Sequence, residues 1–346
     1  MSYFLHVPFG ARNKDYIFKV PKTQFLMLLT ITLLLVGFAI LIKGADFLVG
    51  GASSVAKKFK ISNIAIGLTV VAFGTSTPEL LVSVTSSLKG YDGAAFGNVI
   101  GSNTFNLLFI LGIAGLIYPL VVLRNTVRYE VPLSLLAAVV LYVLVNDVAL
   151  WGAEVNIMSR LDSFILLGFF VLFMIYIYRT MTNASDLDQT DNIKIYSIPV
   201  SVGLIVLGLA LLVGGGTMVV DNAIEIANFY GLSDKLIGLT ILAAGTSLPE
   251  LATSAVAAYK KNTDIAIGNV IGSNIFNIFF ILGITGIIRP LPFDIAMNFD
   301  LYVLAASTVV LMIFMFTLNT SKLDRWEAFL MLISYFAYTI FLVGME

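Results

Sequence analysis

The chain has 346 residues, 59% hydrophobic and 12% charged, with a formal net charge of −1. A soluble domain carries about twice that share of charge, and a near-neutral balance leaves no electrostatic footprint for nucleic acid. Cysteine is absent and the one histidine, His6, lies outside every hydrophobic run, so disulfides and thiolate metal sites are excluded and imidazole chemistry has almost nothing to work with.

Residues 1–23 read as an N-terminal tail of mixed charge containing Pro8 and Pro21. No continuous apolar stretch precedes a small-residue cleavage site, so the tail is not read as a signal peptide. Apolar segments follow at about 24–57, 62–88, 93–117, 128–146, 161–178, 196–229, 234–259, 264–287, 298–318 and 324–344. Nearly all are long enough to cross the ~30 Å of hydrocarbon in a bilayer. The first and sixth are longest, which predicts steep tilt. The polar stretch 179–195, with Asp186, Asp188 and Asp191, reads as a cytoplasmic linker between a first half (24–178) and a second half (196–346). Loop lysines and arginines such as Lys57, Lys58, Lys60, Arg124, Lys260 and Lys261 fall on one side if both termini are extracellular, the orientation the positive-inside rule favours. Arg12, Lys14, Lys19 and Lys22 count against it.

An internal repeat carries most of the information. Residues 66–113 and 237–284 align without a gap at an offset of 171, well over half of them identical, within repeat segments spanning about 64–116 and 235–287. Five spans per half make the second copy enter from the opposite side. The expected fold is therefore an all-α integral membrane protein, ten transmembrane helices arranged as two inverted five-helix repeats. That architecture belongs to secondary transporters, whose substrate sites lie at the repeat interface near the bilayer midplane. A duplication retained only for packing would keep the apolar pattern, but not each Glu, Asn, Ser and Thr inside hydrocarbon.

Within the first copy, Gly74-Thr75-Ser76-Thr77-Pro78-Glu79 interrupts an apolar span; the second repeats it as Gly245-Thr246-Ser247-Leu248-Pro249-Glu250. Proline lacks an N–H and its ring clashes with the carbonyl four residues back, so carbonyls around Ala72 to Thr75 are expected to be freed into an enclosed cavity. Glu79 and Glu250 are the acids at matching mid-span positions, and an intramembrane carboxylate is by default a functional candidate. Downstream, GNVIGSN runs at 97–103 and 268–274 are followed by Asn106 and Asn277. Asn98 and Asn269 are expected to cap or cross-link helices, and Ser102, Asn106, Ser273 and Asn277 to line the ion cavity. Oxygen ligands without imidazole or thiolate suit Na⁺ or Ca²⁺, and less readily Mg²⁺. Asp46, Asp221 and Glu225 are expected at water or a cavity mouth, Gly214 to Gly216 at a close helix approach or a bend, with a gating hinge as the alternative, and Trp151 and Trp326 at the membrane interface.

The paired GTSxPEL…GNVIGSNxFN segments resemble the two alpha-repeats of the calcium/cation antiporter superfamily, in its sodium/calcium exchanger branch and of prokaryotic type. The resemblance implies that the second, third, seventh and eighth helices form the ion-binding core, with the two long helices sliding across it. It places calcium carboxylates on Glu79 and Glu250 and calcium-binding carbonyls on Thr75 and Thr246. Sodium-binding groups fall on Ala72, Ser76, Ser102, Ala243, Ser247 and Ser273, and a central polar pair on Asn106 and Asn277. Prokaryotic and potassium-dependent relatives often carry Asp at the position of Asn277; the amide implies potassium independence. The short linker leaves no room for a calcium-sensing regulatory domain. The expected activity is Ca²⁺/Na⁺ antiport by a multi-pass protein of the cell membrane that is no enzyme, needs no cofactor, and has inorganic cations (Ca²⁺, Na⁺, and H⁺ in the alternative reading) and lipid as its partners. The alternative is a proton-coupled calcium antiporter; a channel and an intramembrane hydrolase fit the repeat less well, the latter for want of a nucleophile–base set.

Overall fold

The computed structural model describes residues 22–122, 126–181, 194–230, 243–317 and 321–345. Residues 1–21, linker residues Asp186, Asp188 and Asp191, Arg124, Lys235 and the first part of the 234–259 segment lie outside these. Among the described residues, eight helices are long and apolar enough to cross a membrane, and a pair bent by 45° at one break, Asn63–Thr75 (α2) and Thr77–Leu88 (α3), meets the same length and composition criteria when taken together. The eight are Lys22–Phe59 (α1), Gly93–Ile117 (α4), Thr126–Val145 (α5), Arg160–Met181 (α6), Ile198–Phe229 (α7), Thr263–Ile288 (α9), Ile295–Phe314 (α10) and Arg325–Met345 (α11). Leu248–Tyr259 (α8) is the described helix of the remaining expected segment.

The outer helices face lipid and the inner ones do not. Leu28, Leu35, Ile42, Leu172, Val206 and Ile340 on the periphery are exposed, apolar side chains of the kind that face lipid or a partner rather than water. By contrast α4 and α9 are mostly buried, and along α9 every residue from Ile265 to Phe276 is buried. The polar residues of both GNVIGSN runs are therefore removed from lipid, as backbone and side-chain polarity at membrane depth requires.

Because lipid tails are as apolar as leucine, helices here associate through close packing rather than hydrophobic burial. The long helices α1 and α7 show how. Gly37, Gly44 and Gly51 recur every seven residues on α1, and Ser201, Gly208 and Gly215 do so on α7. A Cβ on Gly208 would stand 2.7 Å from the Leu48 nitrogen and 2.8 Å from the Gly44 oxygen; one on Gly215 would stand 2.8 Å from the Leu41 nitrogen. Of the three glycines 214–216, Gly215 makes the close approach to α1. The Ser54 and Ser201 hydroxyls close the seam at 2.9 Å.

The two halves interlock. α4 packs on α11 and α9 on α6, while α9 also packs on α2. Two short antiparallel ribbons brace these pairs: Leu120–Val121 (β1) with Lys322–Leu323 (β4), and Ile157–Met158 (β2) with Leu291–Pro292 (β3). β1 and β3 are 171 residues apart, so each ribbon joins one half to the other.

Candidate cation site

The break between α2 and α3 falls at Ser76, whose backbone (φ −81°, ψ 8°) leaves the helical region. Ser247, at the start of α8, has nearly the same conformation (φ −89°, ψ 7°). In both copies proline occupies the first turn of the helix that follows, where its missing N–H costs nothing. The ladder resumes with Leu80 N–H donating to the Ser76 carbonyl at 3.2 Å and Leu251 N–H to that of Ser247 at 3.0 Å. One expectation needs correction: the Ala72 carbonyl is not freed, since the Ser76 N–H donates to it at 3.0 Å. Thr75 Oγ1 also lies within hydrogen-bond reach of it, at 3.3 Å. The Thr77 hydroxyl covers the Phe73 carbonyl at 3.2 Å.

Both breaks put their carboxylates in the same place, and each is held by the other half. Glu79 and Glu250 are completely buried. The Ser76 hydroxyl donates to Glu250 Oε1 at 2.9 Å, and the Ser247 hydroxyl donates to Glu79 Oε1 at 3.1 Å. Thr246 stands beside Glu79, and Thr75 and Ser273 beside Glu250. Among the described residues no lysine or arginine is buried, so the paired negative charge has no protein counter-ion.

Asn98 and Asn269 cross-link helices, as expected, and also join the two halves. The Asn98 amide donates to the Glu79 carbonyl at 3.2 Å and to Ser83 Oγ at 3.0 Å, and accepts from the Thr246 hydroxyl at 3.3 Å. Asn269 repeats this with the Glu250 carbonyl at 3.2 Å, Ser254 Oγ at 2.9 Å and the Thr75 hydroxyl at 3.0 Å. Sequence reasoning passed over Ser83 and Ser254; their retention four residues after each Glu was the available signal. It also missed Asn103 and Asn274, which bind each other across α4 and α9: each amide donates to the other's backbone carbonyl, at 3.1 and 3.2 Å. Just beyond them, Asn106 and Asn277 each begin a π-helical turn, Asn106–Ile110 and Asn277–Leu282, a distortion frequent at functional positions.

Buried polar atoms in native proteins are almost always paired, so the exceptions are informative. Among the described residues nine buried side-chain atoms lack a partner, and five of them are Glu79 Oε2, Glu250 Oε2, Asn106 Oδ1, Asn277 Oδ1 and Ser273 Oγ. The first four are acceptors with no donor, two from each half. Two carboxylate oxygens, two amide oxygens and hydroxyls form a donor set for a hard cation. Among the described residues no group of three His, Cys, Asp or Glu exists to favour a transition metal. Of the other expected ligands, Ser76, Ser102, Ser247 and Thr75 are buried in the same cluster. Ala72 is buried, and Ala243 opens the short turn Ala243–Gly245 that leads into the second break.

A cleft of about 200 Å³ between α3, α7 and α8 lies beside the two breaks; Pro78, Thr217, Asp221, Gly245 and Thr246 line it. Asp221 and Glu225 are exposed, and Asp46 pairs with Lys260 at 2.5 Å and Lys43 at 2.9 Å, so these acids sit at water or a cavity mouth as expected. The long helix α7 touches both breaks: a Cβ on Gly74 would meet Leu209 Cδ2 at 2.5 Å, and one on Gly245 would meet Val220 Cγ2 at 2.5 Å.

The profile of the family described as Sodium/calcium exchanger protein matches residues 29–179 and 200–344, one block in each half. Among curated relatives, the putative antiporter CaxA of Alkalimonas amylolytica is 38% identical over 320 residues, 90% of this chain and 98% of its own. The sodium/calcium exchanger MaX1 of Methanosarcina acetivorans is 32% identical, covering 90% of this chain and 97% of its own. Among solved structures, the sodium-calcium exchanger NCX_Mj, soaked with zero Na⁺ and Ca²⁺, superposes with a TM-score of 0.75 at 33% identity over 92% of this chain and 100% of its own. Sequence, fold and the paired oxygen cluster agree: this chain belongs to the sodium/calcium exchanger family.

Proposed function

We propose that the protein is a secondary antiporter that exchanges Ca²⁺ for Na⁺ at one shared site between two inverted five-helix repeats. The observation that carries this reading is the four unpaired acceptor oxygens of Glu79, Glu250, Asn106 and Asn277, with no buried lysine or arginine among the described residues. One Ca²⁺ balances the two carboxylates. The carbonyls of Thr75 and Thr246 complete its shell, while Na⁺ ions use Ser76, Ser102, Ser247, Ser273 and the carbonyls of Ala72 and Ala243. Ligands common to both make the ions mutually exclusive, which is the minimum condition for exchange.

Transport follows from charge. An empty site carries two carboxylates, and exposing them to hydrocarbon during movement is costly. A loaded site is close to neutral, so the glycine-seamed pair α1–α7 slides across the core only when Ca²⁺ or Na⁺ is bound. The cleft beside Thr246 and Asp221 is the access route on one face; inverted symmetry supplies the other. With both termini extracellular, that cleft opens outward. Bound protons would serve in place of Na⁺ only if the carboxylates themselves were the carriers, and the hydroxyl-rich surroundings of both Glu residues favour Na⁺.

Purified protein in sodium-loaded liposomes, diluted into sodium-free buffer containing radioactive calcium at equal pH on both sides, is expected to accumulate calcium without potassium. Uptake driven only by an imposed pH gradient would move the protein to the proton-coupled alternative. In the same assay Ser76→Ala and Ser247→Ala, each removing a hydroxyl donor from the opposite Glu, are expected to weaken calcium exchange by about tenfold, the worth of a hydrogen bond to a charged group; unchanged rates would mean that those hydroxyls do not shape the site. Asn277→Asp adds a third carboxylate, and its sodium dependence is expected to shift or a potassium stimulation to emerge. If neither changes, Asn277 does not contact the transported ions.

A further inference from the structure

The Asn103–Asn274 clasp has a directional consequence. A backbone carbonyl only accepts, so the Asn103 carboxamide must turn its nitrogen toward the Asn274 carbonyl, 3.1 Å away. Its Oδ1 then faces Asn277, which can approach only with its own nitrogen, and does so at 2.9 Å. The second nitrogen hydrogen of Asn277 goes to Ser102 Oγ at 3.2 Å. Both donors of Asn277 are thereby used, and Oδ1 is its remaining free atom. The same chain runs the other way. Asn274 turns its nitrogen to the Asn103 carbonyl at 3.2 Å, so its Oδ1 accepts from the Asn106 nitrogen at 3.0 Å, and Asn106 Oδ1 is left free.

We infer that Asn103 and Asn274 are positioning residues for cation binding: through their mutual clasp they fix the side-chain orientation of Asn277 and Asn106 so that each presents Oδ1, and not its N–H₂, to the transported ion. An amide is a cation ligand only through its oxygen, and an isolated Asn can turn either way. Flipping Asn277 would set its Oδ1 against Asn103 Oδ1, two acceptors face to face. The clasp also explains why the serine-asparagine pair ends both GNVIGSN runs although Asn103 and Asn274 have no unpaired oxygen of their own. Each orienting residue belongs to the opposite half from the amide it orients, so the ligand sets of the two halves are set by one another. This inference rests on the cation site proposed above.

The test is a double-mutant cycle on calcium uptake by reconstituted protein, reading half-saturating calcium and maximal rate separately. Asn274→Ala and Asn103→Ala are expected to raise half-saturating calcium by about ten- to a hundredfold, the usual loss when a residue that orients a metal ligand is removed. Asn274→Ala combined with Asn106→Ala should be no worse than Asn106→Ala alone, and Asn103→Ala combined with Asn277→Ala no worse than Asn277→Ala alone. The crossed pair Asn274→Ala with Asn277→Ala should multiply the single effects. A merely structural role gives the same coupling, or none, in both pairings, and that result overturns the inference, as does unchanged half-saturation in the single variants. Where an alanine variant is not monodisperse, Asn103→Leu or Asn274→Leu keeps the volume and removes the same hydrogen bonds. Wild-type protein that takes up no calcium against sodium would refute the proposed function instead, before any cycle is measured.

Discussion

Glu79→Gln and Glu250→Gln are each expected to lower calcium exchange by at least about a hundredfold, in line with the cost of removing the carboxylate partner from a buried carboxylate–cation pair. Glutamine keeps the shape and can still accept from the serine of the opposite half, as Glu79 Oε1 does from Ser247 and Glu250 Oε1 from Ser76. What is lost is one of two negative charges and, at Oε2, one of the unpaired acceptors. The effect should therefore fall on calcium affinity and exchange and leave folding intact. Gln variants that melt at the wild-type temperature yet do not exchange are the expected outcome. Near-normal exchange in either would remove the carboxylate pair from the account.

The second large effect concerns the seam between α1 and α7. Gly208→Ala would place a methyl group 2.7 Å from the Leu48 nitrogen and 2.8 Å from the Gly44 oxygen, both backbone atoms that cannot turn aside. The helices must separate, at a cost of about 1–3 kcal/mol or more for overpacking. The variant is expected to melt several degrees lower in detergent and to exchange slowly, because α7 also presses on both helix breaks through Leu209 and Val220. Gly203→Ala on the same helix is the control: nothing lies within 4 Å of its added Cβ, and alanine is the better helix former by roughly 0.5–1 kcal/mol. Equal melting temperatures for the two variants would mean that the close approach contributes nothing.

Much of the fold was legible in the chain because a bilayer leaves few options for backbone hydrogen bonding. The segments read at 62–88, 93–117 and 264–287 correspond to Asn63–Leu88, Asp92–Ile117 and Thr263–Ile288 in the structure. The breaks at Ser76 and Ser247 followed from Pro78 and Pro249, and the cross-linking role of Asn98 and Asn269 from their place on small-residue helix faces. Less legible was which copy each group would serve. Periodicity says that Ser76 and Glu79 share a turn; it cannot say that Ser76 reaches Glu250, because that contact depends on how the halves interlock. Asn103 and Asn274 were overlooked for the same reason, their partners being each other across 171 residues. The π turns after Asn106 and Asn277 have no composition signal at all. The freed Ala72 carbonyl was overestimated because a proline removes a donor two residues after Ser76, leaving the Ser76 N–H to close the turn.

The central claim is that Glu79, Glu250, Asn106 and Asn277 form one site that Ca²⁺ and Na⁺ occupy in turn. Its most direct measurement is anomalous diffraction from crystals of this protein soaked with Sr²⁺ as a calcium surrogate, at low and at high Na⁺. One strong peak between the two Glu Oε2 atoms at low Na⁺, lost as Na⁺ is raised, is the predicted result. A peak elsewhere, or one that persists between the carboxylates at saturating Na⁺, would contradict a shared site and with it the exchange mechanism built upon it.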